Sequence, residues 1–199
     1  MPSAVSQSAD CLAMMNRGTL LQEVRNKHRE NRVHIPDGFI SAPVAVGAAV
    51  VAVAGVTVAV RGARRTLDDR TAPLAGLVAV FLFAAQMINF PVGAGTSGHL
   101  IGAALAAILV GPYAAALALT VVLLVQALLF ADGGLTALGL NIVNMAIIGT
   151  VVAWFVFRGV VRTFGPGRTS VFAGAWLAGL LSVLGAVTGF LVEFSLGGT

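Results

Sequence analysis

The sequence predicts an all-α integral membrane protein with about six transmembrane helices in a compact bundle. Of its 199 residues, 58% are hydrophobic and 10% are charged, and the mean hydropathy is +0.94. Soluble domains carry about 25% charged residues. The apolar residues also form runs that approach the roughly 20 residues a membrane-spanning helix needs. The bilayer therefore decides the architecture.

Five apolar runs are long enough to span, at about 42–60, 74–90, 113–130, 141–157 and 170–194. A shorter run from His99 to Val110 would be about 18 Å long as a helix. Gly111-Pro112 separates it from the next run. We interpret this dipeptide as a tight turn between two helices, which gives six helices in all; a single kinked helix is the alternative.

Positive charges predict the orientation of the bundle. The loops at 91–98 and 131–140 contain no Lys or Arg, whereas two other loops are rich in arginine (Arg61, Arg64, Arg65 and Arg70; Arg158, Arg162 and Arg168). The positive-inside rule places the arginine loops in the cytoplasm and the other two loops outside a plasma or inner membrane. The net charge of +4 and the pI of about 10.6 do not indicate nucleic acid binding, because these arginines form no basic face.

Two histidines stand at the outer edges of apolar segments. His34 lies in residues 33–38 (VHIPDG), and His99 ends residues 95–99 (GTSGH). Imidazole is a ligand for nickel, copper and zinc, and ionisable groups within membrane proteins are usually functional. The single cysteine, Cys11, provides neither a disulfide nor a thiolate cluster. The histidine pair is therefore the candidate metal site.

A third segment of note is residues 129–139 (LFADGGLTALG). Asp132 could attract cations or accept a hydrogen bond from a ligand imidazole, or it could be a turn residue before two glycines. The amide side chains within the helices are expected to bond to neighbouring helices rather than to metal (Gln86, Asn89, Gln126, Asn141 and Asn144). Glu193 has no evident role in the sequence.

In their order along the chain, these three segments resemble the substrate-capture (S) components of energy-coupling factor transporters for nickel and cobalt, the CbiM/NikM family. The resemblance covers about residues 33–195. In that family the amino-terminal methionine, the following histidine and a second histidine supply four nitrogen ligands, an arrangement typical of Ni(II) or Cu(II). The corresponding positions are Val33, His34 and His99. Asp37, Thr96, Ser97 and Asp132 are candidates for shaping the loops or orienting the rings.

The resemblance also predicts where the native chain begins. Residues 1–32 hold five of the twelve positive charges, although the topology places them outside, and they lack the apolar core of a signal peptide. A GTG codon for Val33 could serve as a start codon read as methionine. We therefore expect residues 1–32 to be a non-native or disordered leader, 33–41 to be a metal-binding loop and 42–199 to be the transmembrane domain.

The resemblance implies a transporter component rather than an enzyme, with Ni²⁺ or Co²⁺ as the transported substrate. The chain has no phosphate-binding loop, so ATP hydrolysis would reside in partners. These would be a membrane coupling subunit, two cytoplasmic ATPases and a small accessory membrane protein. Ala75 and Ala79 form a small-residue pair that could dock the coupling subunit. Family members usually continue into another apolar helix after the equivalent of residues 193–195, so this final helix is expected to be missing.

Two other functional classes remain open from the residues themselves. A carrier for a small organic solute, such as a vitamin, would need aromatic and hydrogen-bonding groups around a larger pocket. An intramembrane enzyme using histidine as a base would need a nucleophile or a paired acid nearby. Ser97 lies two residues from His99, but this spacing does not establish a catalytic geometry. The sequence does not distinguish nickel from cobalt.

Overall fold

The computed structural model describes residues 34–35, 37–93 and 96–198, and it shows a multi-pass membrane bundle. Its helices are α1 (Ala42–Thr66), α2 (Thr71–Gln86), α3 (Ala103–Leu129), α4 (Leu138–Phe164) and α5 (Arg168–Gly197). Within α4, a π-helical segment, Ile142–Ile148, separates one α-helical turn from the longer α-helical part. A short antiparallel hairpin, β1 (Phe90–Gly93) and β2 (Thr96–Gly98), connects α2 to α3.

The predicted turn at Gly111-Pro112 is confirmed. Gly111 adopts φ 80° and ψ 167° inside α3, a backbone conformation essentially restricted to glycine. Pro112 follows, and its missing N–H cannot continue the helical hydrogen bonding. The two arms of α3 are therefore separate helical segments of very different length.

The two arms of α3 run in opposite directions. A straight helix would place Ala103 and Gln126 about 35 Å apart, at 1.5 Å for each of the intervening residues. Instead both ends of α3 reach the same region. Near its C-terminal end, Gln126 bonds to His34. The His34 ring in turn lies 5.1 Å from the ring of His99, which precedes the start of α3 by four residues. The first arm therefore enters the bundle and the second returns.

The two ends of the described chain meet at one end of the bundle. Ser41 N–H donates a 2.7 Å hydrogen bond to the carbonyl of Gly197, and Ile40 forms a β-bridge with Gly198. The six helical segments of the described residues, of which the first arm of α3 is too short to span a bilayer, return the chain to the side on which α1 begins. Both histidines lie at this end, while the arginine loops join the helices at the other.

Small residues allow the helices to pack closely around a core dominated by alanine and leucine. A Cβ at Gly139 of α4 would lie 2.6 Å from the Cα of Ala49 on α1, so these helices touch through their backbones. Leu82, Leu119 and Leu123 are fully buried between the helices. Large apolar side chains on the outside face the hydrocarbon, among them Val50, Phe155, Phe172 and Trp176.

We predict that Gly111→Ala destabilises the bundle by about 1–3 kcal/mol, the usual cost of placing a side chain in such a backbone conformation. Denaturant unfolding in detergent measures this loss. Gly47→Ala is the matched control, because Gly47 lies within α1 with no atom within 4 Å of the added methyl, and alanine is a better helix former than glycine. Equal stability of both variants would contradict the reversal at Gly111.

Candidate metal centre

His34 is buried, with 6% of its surface exposed, and a fully buried amide holds its ring. The distance from His34 Nε2 to Gln126 Oε1 is 2.9 Å. An amide oxygen can only accept, so in the neutral ring Nε2 carries the hydrogen and Nδ1 keeps its lone pair. Nδ1 is buried and has no hydrogen-bond partner. Such an atom requires an explanation, and a metal–nitrogen bond would provide one.

Hydrogen bonds join the loop that carries His34 to the residues just before α4 and to the first turn of α4. Ile35 N–H donates to Asn141 Oδ1 at 3.3 Å, and the Ile35 carbonyl accepts from Gly134 N–H at 2.9 Å. Asp37 Oδ1 accepts from the backbone N–H of Thr136 at 2.8 Å and from its hydroxyl at 2.5 Å. These contacts join residues about 100 positions apart and fix the loop against the bundle.

Two glycines allow this close approach. Gly133 has φ 96°, and a Cβ there would lie 2.8 Å from the Cβ of His34. A Cβ at Gly134 would collide with the backbone nitrogen of Asp37. The Asp-Gly-Gly segment therefore covers the histidine loop directly, which only residues without side chains permit.

His99 completes the pair. It follows β2, and its ring centroid lies 5.1 Å from that of His34 at an interplanar angle of 75°. Its Nδ1 lies 3.1 Å from the carbonyl oxygen of Leu100. Because that oxygen can only accept, Nδ1 carries the hydrogen and the lone pair is on Nε2.

The ring separation falls within the range expected for two imidazoles bound to one metal ion. With metal–nitrogen bonds of about 2.1 Å, each ring centroid would lie about 3.2 Å from the metal, so the centroids would be about 4.5 Å apart in a cis arrangement and about 6.4 Å in a trans arrangement. The observed 5.1 Å is closer to the cis value. The described residues contain no group of three or more His, Cys, Asp or Glu side chains able to hold a metal.

The other predicted site residues have varied surroundings. Val33 lies outside the described residues. Asp37 fixes the loop through Thr136. Thr96 and Ser97 lie in β2, just before His99, and their effect on its ring stays a prediction. Asp132 donates its backbone N–H to the Gln126 carbonyl at 3.1 Å. Its role as a cation attractor likewise stays a prediction.

The expectation for Gln126 was incomplete, because its side chain contacts the His34 ring rather than only another helix. Gln86 Nε2 donates to the carbonyl of Ile101 at 2.8 Å, which lies in the segment before α3 rather than in a neighbouring helix. The available signal for Gln126 was a lone amide near the outer end of an otherwise apolar helix. The sequence does not reveal that α3 reverses and brings this end to His34.

Charges are segregated along the bundle. All arginines in the described residues lie in or beside the two loops far from the histidines. In one of those loops, hydrogen bonds from the backbone and hydroxyl of Thr71, and then from the backbone of Arg70, hold the pKa of Asp68 below its usual value. Apart from the two histidines, the ionisable side chains at the histidine end are all acidic in the described part of the chain, which favours a cationic ligand.

The chain is similar to known metal transport proteins. A family model, CbiM, described as the cobalt uptake substrate-specific transmembrane region, matches residues 34–199. The fused nickel transport protein NikMN of Rhodobacter capsulatus is 41% identical over 151 residues, covering 74% of this chain and 44% of that protein. The cobalt transport protein CbiM of Geobacter sulfurreducens is 45% identical over 111 residues, covering 55% and 31%. The chain thus spans less than half the length of either relative.

A solved structure has the same fold. The crystal structure of a truncated transition metal transporter superposes with a TM-score of 0.74 at 32% identity, covering 82% of this chain and 74% of that one. The predicted membrane-helix architecture is confirmed by this match. It extends over nearly all of the described helices.

We predict that Gly133→Ala displaces His34 and weakens metal binding, since the new methyl would overlap the histidine side chain. Isothermal titration with Ni²⁺ measures the change, which we expect to be at least about tenfold, the lower value for disturbing a residue that positions a metal ligand. Gly38→Ala is the control, because Gly38 has a similar φ of 79° but no atom within 4 Å of the added methyl. If both variants lost the same affinity, backbone strain alone would explain the effect, and overlap with His34 would not.

Proposed function

The chain belongs to the CbiM family, whose model covers residues 34–199, and on this premise we propose that it is the metal-capturing membrane subunit of an ATP-driven Ni²⁺ or Co²⁺ uptake transporter. The observation that carries the proposal is the pair of facing imidazoles, with a buried and unpartnered Nδ1 on His34. Nitrogen ligands of this kind suit nickel, copper and zinc. The relatives named for nickel and cobalt transport favour these two metals as the cargo.

The proposed ligand set is the amine of residue 33, the amide nitrogen and Nδ1 of His34, and an imidazole nitrogen of His99. The amine, amide and Nδ1 form two fused chelate rings around one metal ion. Only Nδ1 can close the six-membered ring with the backbone amide, and Nδ1 is the atom that the Gln126 contact leaves with a lone pair. This agreement supports the proposal independently of the family.

The position of His99 supports the same set. In a square-planar complex with fused rings the amide occupies the middle of the three linked positions. The fourth ligand is therefore opposite the amide and cis to Nδ1 of His34. The ring separation of 5.1 Å lies between the cis and trans values and is nearer to cis. The chelate requires a free amine at position 33, so the proposal includes a native chain that begins there.

We further propose that the histidine end faces outward, because the arginine loops lie at the opposite end of the bundle. The cargo would be captured outside and released inward, driven by two ATPases through a coupling subunit, with a small accessory membrane protein. Ala75 and Ala79 lie one turn apart on α2 and are partly exposed. They stay our candidates for docking the coupling subunit.

An organic solute fits the site beside His34 less well. The cavity beside His34 has a volume of about 210 Å³, below the range of roughly 300–1,000 Å³ usual for sites that enclose drug-sized ligands. Its lining in the described residues includes no serine or cysteine that could act as a nucleophile. The cavity therefore suits a small hydrated cation better than an organic substrate.

The decisive test is metal analysis of the chain starting at residue 33, with its intact mass recorded on the same sample. We expect near-stoichiometric Ni²⁺ or Co²⁺ and its loss in both His34→Ala and His99→Ala. Asp69→Asn, at the arginine end, is the control and should bind normally. A chain that retains residues 1–32 should bind more weakly, because it lacks one chelating nitrogen. Absence of binding by the shorter chain would overturn the proposed function.

Gln126 offers a second prediction. Gln126→Leu removes the acceptor that fixes the His34 ring, and we expect Ni²⁺ affinity to fall by about 10–100-fold, as for other partners of metal-bound histidines. Gln126→Glu keeps an oxygen acceptor at the same position and should retain binding. Equilibrium titration measures both variants, with thermal unfolding to confirm folded protein. Equal affinity for the leucine and glutamate variants would show that the ring does not depend on this contact.

A further inference from the structure

A polar pair beside the candidate metal centre is not used by the proposed ligand set. Glu193, one turn from the end of α5, accepts a 2.6 Å hydrogen bond from Asn144 Nδ2 in the π-helical segment of α4. Asn144 is only 4% exposed, and its Oδ1 is buried without a hydrogen-bond partner. A carboxylate in a membrane helix is costly and usually marks a functional site.

Asn144 and His34 line the same cavity, which has a volume of about 210 Å³. Asn141 contributes a second amide to its wall, and Met145 and Phe190 contribute apolar surface. His34 and Asn144 thus both line this cavity. Each has a buried atom with a lone pair and no hydrogen-bond partner, Nδ1 in His34 and Oδ1 in Asn144. The cavity is large enough for several water molecules, each of which takes about 30 Å³ in the liquid.

The α5 backbone fixes how the Asn144 amide is placed. Gly189 lies directly against its oxygen, and a Cβ at that position would collide with Oδ1. The amide nitrogen is consequently directed at Glu193, one turn further along α5. The absence of a side chain at Gly189 leaves room for the pair beside the cavity.

Glu193 has no basic partner among the described residues. The nearest arginine along its own helix is Arg168, at the other end of α5 and about 37 Å away for 25 residues of helix. Of the other carboxylates at the histidine end, Asp37 is engaged by Thr136. Glu193 therefore carries a carboxyl group without a cationic neighbour, and its partner Asn144 lines the cavity beside His34.

We propose that Glu193, held in place by Asn144, forms a first-contact site for a hydrated divalent cation on its way to His34. Carboxylate oxygens are hard ligands that hold such cations together with their water. The rate constant with which an aqueous metal ion acquires a nitrogen ligand is the product of two quantities. These are the equilibrium constant for outer-sphere association and the rate constant for exchange of a bound water. A nearby carboxylate raises the first factor, so the site accelerates capture. This inference rests on the proposed function.

The test is stopped-flow Ni²⁺ association with the chain starting at residue 33. Glu193→Gln removes the charge but keeps an oxygen that accepts from Asn144, and we expect association to slow by about tenfold, within the range of electrostatic steering, with dissociation unchanged. Asp69→Asn removes the same charge from the arginine end and should associate at the original rate. Unchanged association of Glu193→Gln would overturn the proposed site.

Other outcomes also decide the question. If Glu193→Gln changes only the dissociation rate or the unfolding temperature, the pair is a link between α4 and α5, and the first-contact site is overturned. If the unsubstituted chain binds no Ni²⁺, the proposed function fails, and this site fails with it. The two failures are distinguishable because the first leaves binding intact.

A second measurement needs no variant. Mn²⁺ prefers carboxylate oxygen and competes poorly for nitrogen ligands. At constant ionic strength, millimolar Mn²⁺ should slow Ni²⁺ association with the unsubstituted chain without displacing Ni²⁺ that is already bound. An association rate that does not respond to Mn²⁺ would overturn the proposal even if Glu193→Gln proved unstable.

Discussion

An imidazole buried within a membrane bundle must form a hydrogen bond, and the partner of His34 is the side chain of Gln126. This contact imposes demands on the rest of the structure. Gln126 lies near the end of α3, so the chain must return to the histidine end after entering the bundle, which the break at Gly111 permits. The contact also decides which ring nitrogen keeps its lone pair, and thus which nitrogen can bind metal.

The loops that surround this contact are ordered by backbone pairing rather than by apolar packing. Ile35 bonds to Gly134 and Asn141, and Ser41 bonds to Gly197. Each contact joins segments far apart in sequence, so the histidine loop acquires its position only when α4 and α5 are in place. Residues without side chains carry much of this arrangement, because a Cβ at Gly133, Gly134 or Gly197 would overlap the opposite segment. The site is consequently a product of the whole fold.

The sequence predicts the helices and the histidine pair well because hydropathy and charge act locally. Gly111-Pro112 is likewise local, since its backbone preferences do not depend on the surroundings. The hairpin before His99 was not predicted, because residues 90–98 contain three glycines and little β-forming signal. The contacts of Gln126 and Glu193 depend on which helix ends meet. That information comes from three-dimensional packing and is absent from the periodicity of any single helix.

The same geometry constrains how a captured ion could leave. A set of four nitrogens would bind the ion tightly, so release requires at least one ligand to move away. The loop carrying His34 is attached to the start of α4, where a π-helical segment replaces regular helix. Such segments often occur at functional sites. Asn141 lies just before this segment and contacts the histidine loop. Asn144 lies within it and contacts α5. A shift of this segment toward regular helix would rotate both amides and loosen the histidine loop, which makes the start of α4 the place where inward motion could be coupled to release.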